Sequence, residues 1–337
     1  MIIVVYLQMA IKQVSVTILT GFLGAGKTTL LNHIIKGNPD TKFAIIENEF
    51  GEINIDSELV IKTDENIFEL SNGCICCSLN GDLFEVLNKL VTGSYDYDHL
   101  IIETTGIADP SAVAATFMTD YNVQTAFKLD GTVCLVDVKN VLEVLGVDEE
   151  ANKQIAFADY IIFNKCEGYD KEYINNVKEI VSKINPFAEF EFTDYAKADT
   201  KQLLNLKSYE KVKNPFRLIS GKTNPINSLF LRPENHHHGI TSQSFIFDKS
   251  FDLIKLRRYL TVMLFIQGGS FYRIKGILNL EGLTKKLIVQ SVKSSPVFID
   301  GEEWQPDENR ETKIVFIGKK LKREFLEKGL KQCLFNV

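Results

Sequence analysis

The amino-acid sequence predicts an α/β protein: a doubly wound, mostly parallel sheet followed by a smaller C-terminal α+β domain. Three observations carry this. Six β-branched runs, VSVTILT (14–20), KFAIIEN (42–48), HLIIETT (99–105), TVCLVDV (132–138), YIIFNK (160–165) and EFEFT (189–193), alternate with helix-length segments such as DKEYINNVKEIVSKIN (170–185). The apolar residues of these runs are nearly continuous, as expected of parallel strands covered by helices on both faces. A polar stretch with three prolines, KNPFRLISGKTNPINSLFLRPENHHHG (213–239), then ends the alternation. It reads as a linker, because proline and glycine interrupt regular elements. The expected organisation is therefore a first domain over 11–212, a linker over 213–239 and a second domain over 240–337.

The totals narrow the class. With 337 residues the chain can form two domains, each burying a core without covalent staples. Of its six cysteines, Cys134, Cys166 and Cys333 lie singly in apolar runs and are read as small buried hydrophobes. The start, MIIVVYLQMAIK, has a short apolar stretch without a basic leader or cleavage site, so neither a signal peptide nor a spanning helix is expected. The expected compartment is a reducing cytoplasm. A formal charge of −6 without a long basic run weighs against nucleic acid or membrane as a partner.

The first strand, 14–20, runs into GFLGAGKTT (21–29) and then into the helix TTLLNHIIK. Strand, glycine-rich loop and helix in that order are the context that G-x-x-x-x-G-K-[ST] needs to act as a phosphate-binding P-loop, the mark of a P-loop NTPase. The backbone N–H groups of Gly21, Gly24, Ala25, Gly26 and Thr29 are candidates to close around phosphate oxygens. Lys27 would reach the outer phosphates, and Thr28 would offer its hydroxyl to Mg²⁺ at an anion-favouring helix N-terminus. The second strand, 42–48, leads into IENEFGEINID, where Glu47 and Glu52 lie in the first-switch region. Next comes SNGCICCSLNGDL (71–83), ahead of a helix whose stripe of Leu79, Leu83, Val86, Leu87 and Leu90 is core-facing.

The third strand ends in LIIETTG. Glu103 stands where such domains carry the acid that holds Mg²⁺ or its water, and the Gly106 N–H could sense a γ-phosphate. The fifth ends in FNKCE, where Asn164 and Lys165 precede Glu167. GTPases use N-K-x-D at this point: the acid accepts from guanine N–H groups that adenine lacks, which favours GTP over ATP. Here the acid is Glu, one methylene longer. After the linker come SQSFIFD (242–248), a helix LIKLRRYLTVMLFIQ (253–267), three strands near FYRIKGILNLEG, LTKKLIVQSV and TKIVFIGK, and a helix KLKREFLEKGLKQCL, an α+β pattern.

These pieces in this order resemble the CobW-like family of P-loop GTPases, metal chaperones with zinc-directed and cobalt-directed branches. The resemblance covers nearly the whole chain and rests on GFLGAGKTTLLNHII, IENEFGEINID, SNGCICCSLNGDL, IIETTGIADP, QIAFADYIIFNK, RIKGILNL and IVFIGKKL. It implies phosphate and Mg²⁺ duties for Lys27 and Thr28, the second switch for Glu103 and Gly106, the base for Asn164 and Lys165, and a metal for Cys74, Cys76 and Cys77. It also implies that Glu47 and Glu52 could approach the cysteines, although each by itself reads as an exposed acid or a switch residue.

The chemistry of the cysteines points the same way. A disulfide between the neighbours Cys76 and Cys77 would close a strained ring. Three thiolates give Zn²⁺ or Co²⁺ three soft ligands and leave a fourth position open, which suits transfer better than a closed structural site. A redox or structural thiol cluster is the alternative. His236, His237 and His238 form either a solvated loop or a weak metal-recruiting stretch, and His33 and His99 are read as surface residues. The expected function is a GTP-hydrolysing metallochaperone that binds zinc, or cobalt, and delivers it to a client metalloprotein. A nucleotide-regulated metal buffer or sensor, a cobalt chaperone of cobalamin biosynthesis and a small-molecule P-loop kinase stay open beside it.

Overall fold

The computed structural model describes residues 13–49, 61–64, 67–73, 81–93, 95–145, 147–210 and 240–335. Glu52, Cys74, Cys76, Cys77, the stretch 213–239 and His236 to His238 lie outside the described residues.

In chain order the first part has β1 (Val14–Gly21), α1 (Lys27–Gly37), β2 (Phe43–Glu49), β3 (Ile61–Asp64), β4 (Ile67–Gly73), α2 (Gly81–Thr92), β5 (His99–Glu103), α3 (Pro110–Thr119) and α4 (Tyr121–Ala126). It continues with β6 (Phe127–Asp137), α5 (Val141–Val144), α6 (Glu149–Phe157), β7 (Tyr160–Asn164), α7 (Lys171–Ile184), β8 (Glu189–Phe192) and α8 (Thr200–Leu203). The strands form one sheet in the order β3-β4-β2-β5-β1-β6-β7-β8. The β3–β4 pair is antiparallel and the other pairs are parallel.

All six expected strands are present, and the near-continuous burial of β1, β5 and β7 agrees with cover on both faces. β3 and β4 add to the six expected strands: IKTD and IFELSNG are short or polar enough to resemble loop. Aspartates start many of the helices. Asp109, Asp120, Asp148 and Asp170 each accept a hydrogen bond from a backbone N–H of the first turn, satisfying donors that have no intrahelical partner.

The second part has β9 (Ile240–Phe247), α9 (Leu253–Gln267), β10 (Phe271–Leu278), β11 (Lys285–Val292), β12 (Ser295–Glu303), β13 (Thr312–Lys319) and α10 (Arg323–Gln332). Its antiparallel sheet has the order β12-β11-β10-β13-β9. Three strands were expected between the two helices and four are found. The extra one, β12, is an edge strand, SPVFIDGEE, only partly buried and opened by Ser-Pro, so it lacks the apolar run that marks a central strand.

The antiparallel sheet is buried on both faces. Ile274, Leu278, Val289 and Phe316 pack on Leu256, Leu260 and Leu264 of α9 and Leu326 and Leu330 of α10. Ile277, Ile288, Val315 and Ile317 join Ile155 of α6 and Val177 and Val181 of α7 in a single core with the first sheet. The period of two along β10 sorts these sets, with Ile274 and Leu278 toward the helices and Arg273, Lys275 and Ile277 toward the parallel sheet. Among the described residues no helix is long and apolar enough to cross a membrane.

Candidate functional site

The sheet reverses its winding direction beside β1, which has β5 on one side and β6 on the other. A crevice opens at the carboxyl ends of parallel strands where the order reverses, and ligands bind there in open α/β sheets. β1 delivers Gly21 to that edge, and the loop to Gly26 turns directly into α1. Gly26 has φ +108, and a Cβ there would lie 2.7 Å from Asn164 Nδ2, so both backbone and space demand glycine. No side chain caps α1 and no acid lies in its first turn, which leaves its N-terminal dipole and N–H groups available for an anion.

Lys27 Nζ donates to the Gly21 carbonyl at 2.8 Å and toward that of Phe22 at 3.4 Å. The ammonium thus lies folded over the loop. Burial holds its pKa below the ordinary lysine value, partly offset by the Glu103 carboxylate. Thr28 Oγ1 donates to Glu103 Oε1 at 3.2 Å, bringing two hard oxygen ligands together beside the helix N-terminus. Beyond Glu103, Thr104 N donates to the Leu19 carbonyl at 2.9 Å. Gly106 then lies against the loop itself: a Cβ on it would fall 2.6 Å from Leu23 N. Close backbone approach is therefore its reason for being glycine. A cavity of about 30 Å³ lies behind the loop, bordered by Phe22, Leu23, Leu135, Asp137 and Gln154. That holds little more than a water and is too small for a nucleotide.

Directly beside the P-loop, Asn164 is 3% exposed. Its Nδ2 donates to the Ala25 carbonyl at 2.8 Å and its Oδ1 accepts from Ala196 N at 2.9 Å. A base contact by Asn164 would have to use the one N–H and the lone pair these bonds leave. Lys165 adopts φ +64, and its Nζ pairs with Asp137 Oδ2 at 2.8 Å. Glu167 is exposed, while its backbone N donates to Asp194 Oδ1 at 2.7 Å.

The described residues thus bring the P-loop, Glu103, Gly106, Asn164 and Lys165 to one edge. Glu47, half-buried on β2, is in register with Glu103 on β5 and Ser71 on β4. Among the described residues no group of three or more His, Cys, Asp or Glu is placed to hold a metal.

Several residues at the site were not singled out in the sequence. Asp137 ends β6 in an apolar run, Gln154 lies on the buried face of α6, and Ala196 follows β8. Of these only Asp137, a strand-end acid, carried a readable signal. Three expectations need correcting. His99 is not a surface residue: it is 5% exposed at the start of β5, its Nε2 within 2.8 Å of Thr17 Oγ1, because the sheet register sets it between β1 and β2, beside Thr17 and the Phe43 ring. His33 is half-buried, with Nδ1 3.0 Å from the Ala196 carbonyl, because α1 packs beside that loop. Cys134 and Cys333 are buried as expected, but Cys166 is only half-buried, since it lies in the loop after β7.

Fold and loop together define a P-loop NTPase. The chain belongs to the CobW/HypB/UreG nucleotide-binding family, whose model matches residues 15–192, and the cobalamin synthesis protein cobW C-terminal domain matches residues 240–334. Among curated proteins it is similar to the zinc chaperone YjiA of Escherichia coli, 31% identical over 324 residues, with 92% of this chain and 96% of that protein covered. It is also similar to zinc-regulated GTPase metalloprotein activator 1 of Saccharomyces cerevisiae, 30% identical over 365 residues, covering 96% and 84% of the two chains. Among solved structures, Zn(II)-bound YjiA GTPase from E. coli superposes with a TM-score of 0.76 at 28% identity, covering 96% of this chain and 99% of that one.

Proposed function

We propose that this GTPase is a zinc metallochaperone that holds Zn²⁺ as cargo at Cys74, Cys76 and Cys77 and uses GTP binding and hydrolysis to release it to a client metalloprotein. The observation that carries the reading is the shared edge of the sheet. β4 is the parallel neighbour of β2, Glu49 is in register with Gly73, and Cys74 is the next residue in the chain. β4, β2, β5 and β1 are successive neighbours, so the chain enters the cysteine segment roughly 14 Å, three strand spacings, from the P-loop strand. Metal and γ-phosphate would then act on adjoining segments. Relatives named as zinc chaperones and zinc-regulated GTPases make zinc the first choice of metal over cobalt.

In this reading Lys27 neutralises phosphate charge, the N–H groups of 21–29 cradle it, and Glu103 with Thr28 forms the hard-oxygen pair suited to Mg²⁺. The two oxygens, 3.2 Å apart beside a helix N-terminus, fit that ion. Bound there, Mg²⁺ would supply charge compensation on the phosphates. Asn164, Lys165 and Glu167 face the base, and Glu47 and Glu52 are the acids proposed to complete the metal's coordination.

Metal analysis of anaerobically purified chain tests the cargo. About one zinc per chain that disappears in a Cys76→Ser, Cys77→Ser double variant supports it. A variant that retains its full zinc complement would move the metal elsewhere in the chain.

A further inference from the structure

Gln154 is 1% exposed. Its Nε2 donates to the carbonyls of Gly106, at 3.0 Å, and Ala108, at 3.1 Å, so α6 grips the segment between β5 and α3. Three residues later α6 ends at Phe157, whose carbonyl accepts from Nη1 of Arg273 on β10. The second guanidinium nitrogen, Nη2, donates to Asp159 Oδ1 at 2.6 Å and to Gln290 Oε1 at 3.1 Å. Asp159 is held in turn by Thr132 N, which donates to Oδ2 at 3.1 Å. Arg273 is itself 1% exposed and lies over the Phe157 ring at 4.8 Å. At the opposite end of α6, Glu149 pairs with Lys319 of β13 at 3.7 Å.

Such an arrangement has little slack. A nine-residue helix is hydrogen-bonded to the Gly106 segment near its middle and fastened to the antiparallel sheet at its C-terminal end by buried contacts, with a half-exposed ion pair at the other end. A buried ion pair is no better for stability than apolar packing of similar volume, so the Arg273–Asp159 contact is not explained by stability alone. What it adds is geometric specificity: a displaced α6 cannot leave Arg273 in place without stranding buried polar groups.

We propose that Gln154, α6 and Arg273 form a strut that carries the position of the Gly106 segment to the antiparallel sheet. Gln154 is then a positioning residue for nucleotide sensing, and the second sheet is where nucleotide state is read out. The proposal rests on the reading of Gly106 as the segment that meets the γ-phosphate. A shift there is transmitted because closely packed interfaces have discrete arrangements and do not deform continuously.

Hydrogen exchange on the full chain, with Mg²⁺ and either GDP or a non-hydrolysable GTP analogue, tests it. In the unaltered protein, exchange should differ between the two nucleotides at residues 104–109, at 149–157 and at 271–278. Gln154→Met keeps length and volume but removes the two donors. It should retain the difference at 104–109 and lose it at 271–278. Arg273→Lys keeps the charge but cannot hold Phe157 O and Asp159 together, and it should give the same loss from the other end. A difference at 271–278 that survives in both variants, or is absent from the unaltered protein, overturns the strut. Absence of any difference at 104–109 in the unaltered protein would instead refute the γ-phosphate reading on which the strut rests.

Discussion

Asn164 bridges two loops that are distant in sequence: its Nδ2 donates to the Ala25 carbonyl at 2.8 Å while its Oδ1 accepts from Ala196 N at 2.9 Å. The same amide thereby ties the phosphate loop to the loop after β8. His33 approaches the Ala196 carbonyl at 3.0 Å from the other side. Asn164→Ala should leave two buried backbone groups unsatisfied, at about 1–3 kcal/mol each. GTP and GDP affinity should both fall at least tenfold, with a lower unfolding midpoint. Calorimetric titration with each nucleotide checks this, and unchanged affinity would show that the bridge does not shape the site.

Glu167 bears on the choice of base. Its side chain is exposed and its backbone N donates to Asp194 Oδ1; in the proposed reading the carboxylate accepts from the guanine donors. GTP should bind more tightly than ATP, and Glu167→Ala should lose about 1–3 kcal/mol of that preference while Glu167→Asp keeps it. A competition assay in which ATP and GTP displace a fluorescent nucleotide equally well would refute the assignment.

A methyl group at Gly106 has no room, since a Cβ would lie 2.6 Å from Leu23 N and 2.7 Å from the Leu23 side chain. Gly106→Ala must push the segment away from the phosphate loop. Affinity for a non-hydrolysable GTP analogue should fall about tenfold or more, the equivalent of roughly 1.4 kcal/mol, with GDP affinity nearly unchanged. Equal losses for both nucleotides would mean that Gly106 supports the loop as a whole and does not sense the γ-phosphate.

His99 makes stability depend on pH. Burial pushes its imidazole down to about 4, from an ordinary value of 6.5. Above about 6.5 the ring is neutral in both folded and unfolded chains; below it the unfolded chain takes up the proton first. The stability contribution is therefore present above 6.5 and is lost as pH falls toward 4. Between pH 7.5 and 5.0 this should cost about 2 kcal/mol. His99→Gln should show a correspondingly smaller loss in denaturant unfolding across that range, and an identical loss would assign the pH dependence to other groups.

The parallel sheet was legible because VSVTILT, HLIIETT and YIIFNK each hold a core of β-branched and other apolar residues that is buried on both faces. The edges were not. β12 is only partly buried, IKTD is short and half polar, and nothing in IKTD or SPVFIDGEE separates a strand from a loop. The phosphate loop was legible since glycine, lysine and threonine at fixed spacing do one thing between a strand and a helix. Gln154 was not, because a glutamine in QIAF looks like any helix residue until α6 packs over Gly106. His99 shows the converse: a histidine ahead of an apolar run reads as solvated, and only the sheet register buries it against Thr17.

Release of zinc by GTP hydrolysis requires metal and nucleotide to act on each other. If the segment beginning at Cys74 and the Glu103–Gly106 segment rearrange together, zinc affinity must differ between the GTP and GDP states. Linkage then requires zinc to change GTP affinity by the same factor. Titrating Zn²⁺ into the full chain against a chromophoric chelator, with Mg²⁺ and a non-hydrolysable GTP analogue and then with GDP, measures that factor directly. Binding about 5- to 150-fold tighter in the GTP-analogue state is the predicted result. Identical affinities in the two states would contradict it, because hydrolysis would then have no means of driving release.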